Sequence, residues 1–453
     1  MPPSPAEWAI IHRYSHRVRE LTIDVSAGRF TMFFLRITSL HPSVLVPNLR
    51  VLKWDPCVFP QSQRGLPIIF ILRLLSPSLV SLRVTLGDPD DVSLHSFLAN
   101  YPFLCPNLKF TDIGTGGHEK ISSTTIKVLS RAITHHKHLE RLTVYVPIDD
   151  VALTHIATSL QVKTLSLVLH PLRSNLHQIR FPSHITPFYT VKELTLQVWN
   201  VSHVTTLLRA QDQVFRSFWL SHRSPLTPEA ISVLFTALVS PHRVCSLRSL
   251  TLIHDPFDVE SRRFVPEDFD ELTMRHHFSY DTLRPLSSLC HLRKLDINIG
   301  QWISIGDDDL ISLTRNWRSL HILRVDCGQY VDDHPWRSAK YITFKGLLSL
   351  LECCPDIHEI SFPLDARVVP GDTGDIVCNP ALTCLRFPAS PISHARSVAN
   401  FLKRHFPTVT EVTTSFTLLP EEEDVEIELY NVLWDKVDSY INYTEVDDDG
   451  LDS

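Results

Sequence analysis

The sequence predicts an α/β solenoid, with a parallel sheet of short strands on one side and helices on the other, built from about fourteen irregular repeats. Three observations carry this expectation. A pattern of apolar residue, two variable residues, apolar, variable, apolar recurs nearly end to end. Its copies lie about 30 residues apart, since 391 residues separate Val18 from Val409 across thirteen intervals. Between copies the apolar period changes from that of a strand to that of a helix.

The strand copies run in order as VRELTI (18–23), LRVLKW (49–54), LVSLRV (79–84), LERLTV (139–144), VKTLSL (162–167) and VKELTL (191–196). They continue as FRSFWL (215–220), LRSLTL (247–252), LRKLDI (292–297), LHILRV (320–325), IHEISF (357–362) and LTCLRF (382–387). Weaker copies are LKFTDI (108–113), with Thr111 at an apolar place, and VTEVTT (409–414). In each, the fourth and sixth residues point inward and the third, fifth and seventh outward. Helical segments lie between them. Thr227-Pro228-Glu229 starts one with a capping hydroxyl, a first-turn proline and an acid at the positive dipole end. Others are read at 149–160, 307–316 and 392–406. Strands need about 4.8 Å each and helices about 10 Å, so the stack is expected to curve into a horseshoe with the sheet on its concave face.

This pattern resembles the leucine-rich-repeat superfamily, in particular the ribonuclease-inhibitor-like arrays, over residues 17–419. Cys105, Cys245, Cys290 and Cys354 each stand two or three residues before a strand, where a small, partly buried thiol suits the turn. Residues 1–16 are read as an N-terminal capping segment, 420–444 as a C-terminal capping helix with Leu429, Val432, Leu433, Val437 and Tyr440 facing the last repeat, and 445–453 as an acidic tail. More narrowly, EWAIIHRYSHRVREL at 7–21 is similar to the segment that follows the F-box in fungal F-box/leucine-rich-repeat proteins. That resemblance implies recognition of a substrate for a ubiquitin ligase. The F-box itself is read as missing, since six residues precede Glu7, so an adaptor contact is expected only if an F-box lies upstream.

Composition narrows the function. With 43% hydrophobic and 21% charged residues the chain has the material for a large core. A net charge of −7 gives no overall positive field, so nucleic acid and membrane surfaces are not expected partners. Met1 to Pro5 has no apolar leader, and the run from Ile68 to Leu75 is broken by Arg73. Nine cysteines without a CxxC pair fit a reducing compartment, the cytoplasm or nucleus.

No enzyme constellation emerges. The glycine-rich stretch from Ile113 to Lys120 has Glu119 where a phosphate loop needs glycine and Ile121 where it needs Ser or Thr, so it is read as a connecting loop. Histidines at 135, 136 and 138 sit at a helix-to-strand turn without a zinc pattern. Asp88, Asp90 and Asp91, and Asp307, Asp308 and Asp309, are placed just before helices as caps. Neither a cofactor, a metal nor a catalytic residue is expected.

The outward strand places are the candidate site. They carry Lys53, Arg83, Arg141, Lys294, Arg324 and Arg386 against Glu20, Asp112, Glu193, Asp296, Glu359 and Glu411, a mixed face suited to a protein partner. Trp219 falls outward between inward Phe218 and Leu220, although a register shift would bury it. The long spacing at 326–356 adds Tyr330, Trp336 and Tyr341. The candidate partner-binding residues are therefore Trp219, Arg324, Trp336, Arg83, Arg141, Lys294, Arg386 and Tyr330, in a monomer. Alternatives are a free-standing repeat scaffold or a GTPase regulator like the Ran GTPase-activating proteins, whose acidic tails are longer.

Overall fold

The computed structural model describes residues 4–24, 44–55, 68–86, 92–115, 121–169, 187–209, 214–223, 226–239, 246–254, 278–299, 302–326, 340–371, 379–414 and 425–442. The chain divides into two compact units, Met1–Val198 and Trp199–Ser453.

In the first unit, strands β1 (Glu20–Asp24), β2 (Val51–Asp55), β3 (Ser81–Leu86), β4 (Phe110–Thr115), β5 (Arg141–Val144), β6 (Thr164–Leu169) and β7 (Glu193–Val198) pair in sequence order, all parallel. Each opens on the third residue of its motif. The fourth and sixth residues go into the core, as Leu82 and Val84 or Leu142 and Val144 do. Thr111, the polar exception, is buried with them. Helices Val92–Leu104, Ser123–His135 and Asp150–Ser159 return the chain between strands. Local chemistry starts the last two. Ser122 Oγ accepts from Thr125 N at 3.1 Å, and Asp149 Oδ1 accepts from Ala152 N at 2.9 Å. Ahead of β1, Ser4 and Glu7 cap a helix at Pro5–Ser15 reciprocally, at 3.3 and 2.6 Å. The stretch read as a loop from Ile113 is shorter than expected, because β4 continues through Gly114 to Thr115 beside β3. Residues 116–120 lie outside the described residues, as do Asp88, Asp90 and Asp91.

The second unit repeats the scheme. Strands β8 (Ser217–His222), β9 (Ser249–His254), β11 (Lys294–Asn298), β13 (Ile322–Asp326), β15 (Glu359–Ser361), β17 (Cys384–Arg386) and β18 (Glu411–Thr413) are parallel neighbours in that order. Two-residue strands β10 (Phe278–Ser279) with β12 (Ile303–Ser304), and β14 (Ile342–Thr343) with β16 (Leu364–Asp365), form two small parallel pairs. Helices Pro228–Leu238, Asp307–Thr314, Phe344–Cys353 and Ala395–His405 separate the strands. Thr227 Oγ1 accepts from Ala230 N at 3.2 Å, as the sequence implied. The triplet of aspartates lies inside the first turn of its helix rather than before it, because Gly306 is the residue in extended backbone at the cap. Asp307 then serves the next repeat, its carboxylate accepting from both Thr343 N and Thr343 Oγ1 at 2.7 Å.

Helix Val425–Asn442 closes this unit, on a face that retains Val437 of the stripe the sequence indicated but is turned away from Leu429 and Val432. Leu429 and Val432 are exposed, while Ile427, Tyr430, Trp434 and Val437 are buried. The reason is Trp434, whose ring lies 5.3 Å from that of Phe387 and whose Nε1 donates to Ser390 O at 2.8 Å. Of the turn cysteines, Cys105 and Cys354 are buried, Cys290 is exposed against expectation, and Cys245 lies outside the described residues. In-order parallel strands with intervening helices define an α/β solenoid of the leucine-rich-repeat type.

Candidate functional site

Strand register brings the outward residues into rows. In the first unit the central row is Thr22, Lys53, Arg83, Asp112, Thr143, Ser166, Thr195. In the second it is Trp219, Thr251, Asp296, Arg324, Ser361, Arg386, Thr413. Successive members of a row sit one strand apart, about 4.8 Å, so opposite charges can meet without a turn between them.

They do meet. Lys53 Nζ lies 2.9 Å from Glu20, and Arg83 Nε lies 3.4 Å from Asp112. Burial raises the Asp112 carboxyl above its ordinary range, with the Arg83 charge opposing that. Arg141 lies over the Phe110 ring at 5.8 Å, and Glu193 accepts from Thr164 Oγ1 at 3.1 Å. Of the mixed charge list in this unit, Lys53 with Glu20 and Arg83 with Asp112 thus form ion pairs, while Arg141 and Glu193 meet an aromatic ring and a hydroxyl.

The second unit builds a denser arrangement. Asp296 takes Lys294 Nζ at 3.0 Å and Arg324 Nη1 at 3.4 Å. Arg324 also reaches Glu359 Oε1, at 2.6 Å from Nη2 and 2.8 Å from Nε. Arg386 Nη2 spans to Glu359 at 3.7 Å and to Glu411 at 3.5 Å. Ser361 Oγ donates to Asp326 on the neighbouring strand. Burial, with the Asp296 charge adding to it, holds the Asp326 carboxyl above its usual range, opposed by the Ser361 hydrogen bond and the Arg324 charge. Although these residues face away from the core, the side chains of Asp296 and Glu359 are only 10% and 12% exposed, covered by the cations they bind. Arg324, expected as a free contact, has its guanidinium engaged on two sides, whereas Arg386, 41% exposed, keeps more of its surface open.

Trp219 is the first member of this row in sequence. Phe218 and Leu220 on either side of it are buried, so the ring is on the outward face, half-buried, in register with Thr251. Thr251 is itself buried. Tyr330 and Trp336 lie outside the described residues, while Tyr341 is half-buried, its ring 5.5 Å from that of Trp302. Sequence reasoning missed Asp326 and Ser361, because which residues face each other across strands depends on register. Aligning the fourteen motifs on their fourth residue would have found both.

Among the described residues no group of three or more His, Cys, Asp or Glu side chains converges as a metal site would. His136 is buried at the turn after helix Ser123–His135, and neither ring nitrogen has a hydrogen-bond partner among the described residues. Burial, helped by the charges of His135 and His155, depresses its pKa to about 4. No described helix is long and apolar enough to cross a membrane.

Fold and face together define the class, a leucine-rich-repeat-like solenoid with a polar, charge-paired outer sheet surface. No family model matches the chain. A search of curated proteins likewise finds no match. Among solved structures the chain is similar to the crystal structure of a Rad7 and Elc1 complex from yeast, with 13% identity and a TM-score of 0.42 over 86% of this chain and 76% of that one.

Proposed function

We propose that the chain is a protein-binding module rather than an enzyme, and that it is the substrate-recognition repeat region of an F-box-type ubiquitin-ligase receptor acting in the cytoplasm or nucleus. The observation that carries the binding part is the outer row of the second unit, where Trp219 presents a half-buried aromatic ring beside a fixed lattice of paired charges. A large ring already partly ordered loses little entropy on contact, and pre-paired charges set a polar pattern that a partner must match. The ligase assignment is supported by the similarity of residues 7–21 to the segment that follows an F-box. Five described cysteines, all unbridged, accord with a reducing compartment.

The test is co-purification from cells with the proteasome inhibited. Wild-type chain is expected to retain ubiquitinated proteins that the Trp219→Ala variant, folded equally well by its melting curve, loses. An identical set on both would remove Trp219 from the interface, and the absence of any ubiquitinated protein would remove the ligase assignment.

A further inference from the structure

The second place of each motif forms a further row, at the entry edge of the sheet. In the second unit its backbone rungs are adjacent: Arg248 N donates to Arg216 O at 2.8 Å, Arg293 N to Arg248 O at 2.7 Å, and His321 N to Arg293 O at 2.8 Å. Arg216, Arg248 and Arg293 thus lie on three neighbouring strands, and all three are exposed. None of them makes an ion pair with a described residue. The outward cations Lys294, Arg324 and Arg386 of this unit are each neutralised by a carboxylate of their own or a neighbouring strand, so these three stand apart.

The first unit shows what an acid does on the same row. There Glu140 occupies the rung between Lys109 and Lys163, with its carboxylate 3.0 Å from one ammonium and 2.8 Å from the other. Those hydrogen bonds and charges hold the Glu140 carboxyl down to about 2. The second unit has the flanking cations without the acid. Three arginines about 4.8 Å apart span about 10 Å, and an extended peptide presents same-side residues every 6.6–6.8 Å or so, a mismatch that long arginine side chains absorb.

We propose that Arg216, Arg248 and Arg293 dock an extended acidic segment of a partner protein, whose carboxylates bridge neighbouring arginines as Glu140 bridges Lys109 and Lys163. The proposal rests on the protein-binding reading but on a row of side chains separate from Trp219. A peptide with spaced acids fits better than a nucleic acid. The chain carries a net charge of −7, and a backbone with a phosphate at every step meets that repulsion along its whole length. Sparse carboxylates meet only the row.

The probe is a fluorescent dodecapeptide alternating Asp and Ser, with an Asn–Ser peptide and a twelve-nucleotide oligothymidylate as comparators, measured by anisotropy at low salt. Wild-type chain is expected to bind the Asp peptide at least tenfold more tightly than the Asn peptide, with affinity falling as salt rises. The triple variant Arg216→Gln/Arg248→Gln/Arg293→Gln is expected to lose at least tenfold, and Lys109→Gln/Lys163→Gln to stay within twofold of wild type. Should the triple variant not fold, single Arg248→Glu carries the same expectation. Equal binding of the two peptides, an unaffected arginine variant, or tighter binding of the oligothymidylate overturns the proposal. If the peptide arm fails while Trp219→Ala still releases cellular partners, the row is wrong and the binding module stands; failure of both removes the module as well.

Discussion

Glycine 346 illustrates how tightly neighbouring repeats are coupled through single residues. A Cβ added there would lie 2.8 Å from Asp307 Cγ and closer still to its carboxylate oxygen, the group that holds Thr343, whose hydroxyl caps the helix beginning at Phe344. Gly346→Ala is therefore expected to cost about 1–3 kcal/mol, by overpacking or by loss of the cap. Combining it with Asp307→Ala should cost less than the sum of the two single changes, and urea denaturation of the four proteins measures that coupling. His136 gives a pH signature. Its folded pKa of about 4 lies below the ordinary value of 6.5, so the unfolded chain binds the proton more readily. Stability is full above pH 6.5 and falls as pH drops toward 4, by about 2 kcal/mol between pH 7 and pH 5. His136→Phe should flatten that part of the profile; an unchanged slope would show that His136 is not its source. Arg324 sits between Asp296 and Glu359, two carboxylates with little solvent of their own, so Arg324→Ala is expected to cost about 3 kcal/mol in denaturation even with no partner present.

At the scale of elements, the strands were legible because the six-residue motif encodes both the period of a strand and its inward face, and each copy is independent of the others. All fourteen strands of the main ladders open on the third motif residue, from Glu20 to Glu411. The terminal helix was legible as a helix but not in its orientation. Leu429, Val432 and Leu433 make as good an apolar stripe as Ile427, Tyr430 and Trp434, and the choice is made 44 residues upstream, where Ser390 O accepts a hydrogen bond from the indole N–H. Trp434→Ala is expected to cost about 3–5 kcal/mol by leaving a cavity against Phe387, whereas Leu429→Ala, on the exposed side, should fall within about 0.5 kcal/mol of wild type. Equal losses for the two would restore the stripe first read from the sequence.

Across the whole molecule, charge is organised by register. Composition supplied the list of outward cations and anions but not who neutralises whom, since that depends on residues about 30 positions apart meeting on adjacent strands. Pairing leaves the outward rows largely neutral within each unit and concentrates what recognition needs at Trp219 and at the strand-entry arginines. Inward and outward residues of the paired strands β8 and β9 should consequently separate in their effects. Leu250→Ala, in the core, is expected to destabilise by about 2–5 kcal/mol, while Trp219→Ala should cost under about 1 kcal/mol. The most direct measurement of the central claim, that the outward sheet face is where proteins bind, places a photo-crosslinking amino acid at position 219 or at position 233. Val233 is 38% exposed on helix Pro228–Leu238 of the same unit. Irradiation in cells is expected to yield discrete protein adducts from position 219 and none from 233; adducts from 233 with none from 219 would contradict the account.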